Sequence, residues 1–405
     1  MKRGVSLFVF CESLGWDLMQ RLPFVDGLAE NRAGLIPILG TAAATLPTVL
    51  SGALPQEHEH FDWFIYSPRT SPFRLCRFLS YLPKAIRNSR RFRSAVVRSI
   101  RNSNDITGRL DIFNMPLRRL PLFDFVEPRD LFEGHALGKI KTLIDFFEEN
   151  DVDYFCSDHN ETDPENADAL AEALYSRRIT AAFLHLRGID PVVKHEGPRS
   201  PALRGRMAWI DHRIRRLYET AATGYDRVEL IVFSDCGTLA ATEVFDIEEK
   251  LRKSRYAYGQ DYVAVYGPAM ARFWFMTHER HTAIVQILNT LSCGRVLTKE
   301  DLLEQGCWFS DNRFGETIFL ANPGTVFIPN DIVSAPLVTA SGYHPENEEL
   351  AGGFACNLAD VEPPKHLAQI HSLLVHSTAR SAGIELPAAA PPRPAEAVET
   401  KTRPE

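Results

Sequence analysis

The absences in this chain narrow its class first. There is no apolar run long enough to cross a bilayer: Val5 to Phe10, near the start, spans six residues, where a spanning helix needs about 20. Glu12 follows with no small-residue cleavage pattern, so a secretory leader is not expected either. The seven cysteines contain no C-x-x-C pair, which argues against a zinc ribbon and a disulfide framework and suits reduced thiols. A cytoplasmic location, with no membrane partner, is therefore the expectation. Nor is there a basic excess. Lys and Arg number 45 against 52 Asp and Glu, for a net charge of -7, so no nucleic-acid partner is expected, because affinity for a polyanion comes from a cationic surface. No internal repeat is visible.

What remains is ordinary globular composition, 45% hydrophobic and 24% charged, enough for one large core. Val5 to Phe10 and Leu35 to Gly40 read as buried strands. Asp153 to Ser157, Thr180 to Leu186, Glu229 to Ser234 and Tyr262 to Val265 are further short apolar runs. Helix-like segments such as Asn166 to Ser176 and Ala202 to Thr223 separate them. That alternation predicts an α/β fold, a central sheet with helices on both faces. Residues 61–132, rich in aromatics, proline and arginine without clean alternation, read as an inserted cap. Within it, Arg87, Arg90, Arg91, Arg93, Arg98 and Arg101 decorate a helix ending near Asn102-Ser103-Asn104, either a solvated face or a lid for an anionic substrate. Residues 1–386 are expected to form one domain. Residues 387–405, rich in Pro, Ala and Glu, are expected to be a disordered tail.

Five clusters could carry chemistry. Ser234-Asp235-Cys236 ends an apolar strand in an acid and a soft ligand. Glu12 follows the first strand, although an acid there also suits a helix cap. In Gly40-Thr41-Ala42-Ala43 a hydroxyl sits at a strand-to-helix turn, where free backbone donors and the helix dipole favour a phosphoryl group; by itself, an N-cap threonine is the simpler reading. Asp190 leaves a strand ahead of His195 in a glycine-bounded loop, a carboxylate and an imidazole suited to zinc. Ser341-Gly342-Tyr343-His344 supplies a loop histidine, a type usually found simply at the surface.

The order of these clusters resembles the alkaline phosphatase superfamily, most closely its type I phosphodiesterase and nucleotide pyrophosphatase branch. That branch shows an acid after the first strand, a Thr or Ser nucleophile before T-G-x-x-P-x-x-H-G, then D-x-x-G-H, S-D-H-G and G-x-H-G. The matching stretches here are Glu12, Thr41 leading to Ser51-Gly52-Ala53-Leu54-Pro55-Gln56-Glu57-His58, Asp190 with His195, Asp235-Cys236-Gly237, and His344. Asp261 to Tyr266, Phe273 to Phe275 and Gly315 to Leu320 are also similar to the branch.

The resemblance implies a metal-dependent hydrolase of a small phosphodiester or phosphomonoester. Asp190, His195 and His344 would hold one divalent metal, and Glu12, Asp235 and Cys236 a second beside the Thr41 hydroxyl. Such a pair would lower the nucleophile's pKa and steady the leaving oxygen. Zn2+ is the first expectation, because imidazole and thiolate both suit it, with Mn2+ or Mg2+ as alternatives.

Three departures stand out. Glu12 replaces an aspartate. Cys236 replaces a histidine, and its thiolate would add a third negative charge around one ion and weaken its Lewis acidity. Counting back from Gly52 as the family does falls on Ala42 rather than Thr41, which leaves Thr45 and Thr48 as alternative nucleophiles. Two other activities stay open: an impaired relative that binds a phosphorylated ligand, and a transferase that passes the phosphoryl group to an acceptor other than water. A sulfatase is disfavoured because the C-x-P-x-R motif of that branch is absent. Phe61, Trp63 and Tyr66 are either core or a stacking surface for a base or sugar.

Overall fold

The first strand, Gly4–Cys11, is buried along all eight residues. It lies at the middle of a six-stranded sheet whose order is Asn31–Leu35, Gly352–Cys356, Arg227–Phe233, Gly4–Cys11, Ala181–Leu186, Tyr154–Cys156. We describe a computed structural model, covering residues 4–333 and 336–386; the expected tail at 387–405 lies outside the described residues. The last four strands of that order run parallel, with Phe8 opposite Phe183 on one side and Ile231 on the other.

Successive side chains of a strand point to opposite faces, and the first strand uses both. Leu7 and Val9 join Leu184, Leu230 and Val232 on one face. There the helix Pro201–Gly224 covers them with a stripe at helical spacing, Leu203, Met207, Ile210, Ile214, Leu217 and Ala221. Pro201 at its first position and Ser200, whose side chain accepts from the Leu203 N–H, start that helix. Phe8 and Phe10 face the other way, onto Phe183, Ile231 and Phe233, beneath the helices Ala42–Ser51, Leu143–Glu149 and Ile370–Ala382. Truncating an aromatic at this depth costs about 3–5 kcal/mol.

The parallel strands Gly4–Cys11, Ala181–Leu186 and Arg227–Phe233 release their carboxyl ends at one edge, and Glu12, Asp190 and Asp235 follow them there. The helix-covered sheet is as expected, with two differences. The apolar run Leu35 to Gly40 is not a strand: pairing with Gly352–Cys356 covers Asn31–Leu35, and Pro37, which has no N–H to donate, falls in the connection to Thr41. Tyr262–Tyr266 belongs to a separate antiparallel sheet with Met270–Phe275, Thr317–Ala321 and Gly294–Val296.

In the 61–132 segment, two three-residue strands too short to read from alternation, Phe64–Tyr66 and Phe123–Phe125, pair antiparallel. Its aromatics share a core with the second sheet. Trp63 stacks on Phe125, and Tyr66 on Trp274 at 5.3 Å between ring centroids. Phe61 is fully buried. The arginine-rich helix spans Arg90–Ser103, with Val96 buried. Among the described residues, no helix is long and apolar enough to cross a membrane.

Candidate active site

Two loops meet closely at the carboxyl edge. A Cβ placed on Gly15 would lie 2.8 Å from the Gly237 Cα, and one on Gly237 would lie 2.7 Å from the Glu349 carbonyl oxygen. Only glycines permit that approach, and it presses the loop after the first strand against Asp235-Cys236. Ser13, a non-glycine residue at φ 60°, ties the contact together. Its backbone N–H donates to Asp235 Oδ1 at 2.7 Å, and its hydroxyl donates to Asp190 Oδ1 at 2.6 Å. An L-residue persists in this left-handed region only where its surroundings hold it. Here two carboxylates do so.

Thr41 caps the helix Ala42–Ser51, its oxygen 3.4 Å from the Ala43 N–H. Gly40, at φ 142°, makes the turn before it. A cavity of about 220 Å³ opens against that helix start, and its wall includes Glu12, Thr41, Asp190, Lys194, Asp235 and Cys236. Of the alternative nucleophiles, Thr45 also reaches the wall. Thr48 is fully buried and bonded to His58 Nε2 at 2.9 Å.

The electrostatics divide the cavity in two. On the first-strand side, burial pushes the Glu12 carboxyl up. The N–H of His185 Nε2, 2.8 Å from Glu12 Oε1, and the charge of Arg109 outweigh burial and bring Glu12 down to about 2. Burial, and next the Glu12 charge, push the Asp235 carboxyl up. Burial and the Asp235 charge raise the Cys236 thiol well above its ordinary value, so it stays protonated rather than thiolate.

On the other side, Asp190 opens the helix Ile189–Glu196, and Lys194, one turn on, sets its ammonium 2.6 Å from Asp190 Oδ1. Burial alone would lower the Lys194 pKa; Asp190 overcomes it and raises the value, so the lysine keeps its charge.

Of the seven expected site residues, Glu12, Thr41, Asp190, Asp235 and Cys236 come together at this wall. His195 and His344 do not line it. His195 is exposed, its Nδ1 3.1 Å from the Pro336 carbonyl oxygen, and His344 pairs with Glu346 at 3.5 Å. The residue that accompanies Asp190 is Lys194, because positions four apart share a helix face while the next position turns away by about 100°. Sequence reasoning also missed Ser13 and His185.

A two-metal cage does not fit these side chains. Asp190 already holds a cation, and among the described residues no three His, Cys, Asp or Glu side chains are grouped to hold an ion. Lys194 stands where the D-x-x-G-H pattern has its imidazole.

This combination of a helix-flanked sheet, carboxylates at the carboxyl edge and a hydroxyl at a helix start defines an alkaline phosphatase-like architecture. The model of the type I phosphodiesterase / nucleotide pyrophosphatase family matches residues 93–344, more than half of the chain, and the protein belongs to that family. Glu12 and Thr41 lie outside the matched span. No curated protein matches the chain. Among solved structures, human ectonucleotide pyrophosphatase/phosphodiesterase 5 is similar at 12% identity, covering 93% of this chain and 95% of that one, with a TM-score of 0.65. The murine protein of the same name, in an inactive threonine-to-alanine form in complex with AMP, is similar at 14% identity with the same coverage and TM-score. At such identities the likeness is one of fold.

Proposed function

We propose that this chain hydrolyses a small phosphodiester through Thr41, in one catalytic domain, 1–386, capped by the 61–132 segment. The observation that carries this reading is Thr41 at a helix start, sharing a cavity with a charged lysine and the carboxylates of three parallel strands. Family membership supports phosphodiester chemistry, and the AMP held by the murine relative supports a nucleotide-sized ester.

The helix Ala42–Ser51 offers its positive end to the phosphoryl group, and the Lys194 ammonium neutralises a non-bridging oxygen, as a preorganised charge does in a water-poor site. Thr41 Oγ1 forms a bond to phosphorus as the bond to the leaving oxygen breaks. The hydroxyl proton passes to Asp235, whose raised pKa suits a base, and the leaving oxygen takes up a proton. Water then attacks the phosphorus of the threonine-linked ester that remains, the bond to Thr41 Oγ1 breaks, that oxygen takes back a proton, and a phosphomonoester leaves. Asp190 acts through Lys194, and His185 and Arg109 hold Glu12 ionised.

The test is turnover of bis-nitrophenyl phosphate and of nucleotide diesters by the native chain and by Thr41→Ala. Turnover that collapses in the variant supports the assignment; equal rates in both rule Thr41 out.

A second reading, binding of a phosphorylated ligand without turnover, is favoured by Lys194 and the protonated Cys236 thiol. AMP binding by a native chain with no turnover selects it. Activity appearing on Lys194→His combined with Cys236→His identifies it as loss of an ancestral site.

A further inference from the structure

The 61–132 segment carries a surface that the cavity does not use. Between Trp63 and Asn104 the sequence has ten Lys and Arg and no Asp or Glu, in a chain whose net charge is -7. Seven of these cations, Arg69, Arg74, Arg77, Lys84, Arg90, Arg91 and Arg98, are exposed. Four large apolar side chains stand out among them: Leu75 at 73%, Phe78 at 55%, Tyr81 at 87% and Ile86 at 46% exposure. The other exposed large hydrophobics of the described residues are scattered singly along the chain.

The arrangement is held from beneath. Buried Cys76 anchors the turn Cys76–Leu79, and Val96 anchors the helix Arg90–Ser103, so the apolar tips cannot turn inward. The guanidinium of Arg77 lies 4.6 Å over the Phe78 ring, which puts charge and apolar surface at one spot. Water rewards neither the apolar tips nor the crowded like charges. An anionic bilayer surface rewards both, through burial at the headgroup boundary and attraction to lipid phosphates. A nucleic acid fits less well, because Leu75 and Ile86 have no ring face on which a base could stack.

We propose that residues 74–91 form a docking surface for an anionic lipid bilayer, with Leu75, Phe78, Tyr81 and Ile86 entering the headgroup layer and the surrounding cations meeting lipid phosphates. The surface is independent of the hydrolase reading. It departs from the expectation of no membrane partner, which rested on the missing spanning run; a peripheral contact needs no such run.

The test floats the full chain with vesicles of phosphatidylcholine alone and of phosphatidylcholine mixed with phosphatidylglycerol. The chain is expected to float with the mixed vesicles and not with the neutral ones. Replacing Leu75, Phe78, Tyr81 and Ile86 together with Ser is expected to lower its partition by about tenfold, with circular dichroism unchanged. The pair Leu75→Ser and Tyr81→Ser, the two most exposed positions, is expected to give a smaller drop and serves if the fourfold variant fails to fold. No flotation with mixed vesicles overturns the proposal. So does flotation that survives the serine substitutions while a single-stranded RNA binds as tightly as the vesicles, which identifies a general polyanion surface.

Discussion

The two sides of the cavity meet the same problem, buried negative charge, in different ways. On one side Asp190 carries its own counter-ion, Lys194, from one turn along its own helix. On the other, Glu12 and Asp235 press against each other, and the compensation comes chiefly from His185 and Arg109, both beside Glu12, with Lys194 farther off. A positive charge supplied by the chain is thus fixed in place and needs no uptake from solution, whereas in the carboxylate pair burial and the Glu12 charge push Asp235 up, toward holding a proton.

The largest expected break is chemical. Thr41→Ala should lower turnover at least about 1,000-fold, the scale on which nucleophiles fail, with stability lowered only by the lost helix cap, about 1 kcal/mol. Next comes the ion pair. Lys194→Ala strands Asp190 partly buried and should cost about 2–3 kcal/mol in urea unfolding, while Lys194→Arg should recover most of it.

A smaller effect separates the sides by pH. Glu127, behind Arg109, has its carboxyl pushed up to about 7, chiefly by burial. A carboxyl raised on folding contributes stability that is full below the ordinary value and is lost as pH rises through the raised one. Stability should therefore fall between about pH 4.5 and 7, and Glu127→Gln should gain on the order of 2 kcal/mol at pH 8 and nothing at pH 4. Glu12 has the opposite sign. Its lowered carboxyl contributes stability above the ordinary range that disappears as pH falls toward about 2. Smallest is Ser13→Ala, which removes one hydroxyl bond to Asp190 and should cost about 1 kcal/mol, read by the same unfolding.

The sheet was legible because its parallel strands are buried on both faces and so appear as unbroken apolar runs. The candidate site was legible where residues follow strands, as Glu12, Asp235 and Cys236 do, or open helices, as Thr41 and Asp190 do. The companion of Asp190 was misjudged because the bounding Gly188 and Gly197 suggest a loop, and Pro191 does not read as helical. Proline is allowed in a first helical turn, so Ile189–Glu196 is a helix, and its spacing selects Lys194 over His195. Ser13 left no sequence signal, since its role comes from a left-handed backbone. Gly352–Cys356 went unread because its small residues answer the crowding of a sheet interior: a Cβ on Gly352 would lie 2.6 Å from the Ser234 carbonyl oxygen.

In the proposed site the Lys194 ammonium takes the place of one metal ion, which can be checked by counting the zinc or manganese bound at equilibrium by the native chain. No more than one ion per chain, unchanged by Asp190→Asn, is the predicted result; two ions per chain, one of them lost on Asp190→Asn, would contradict it.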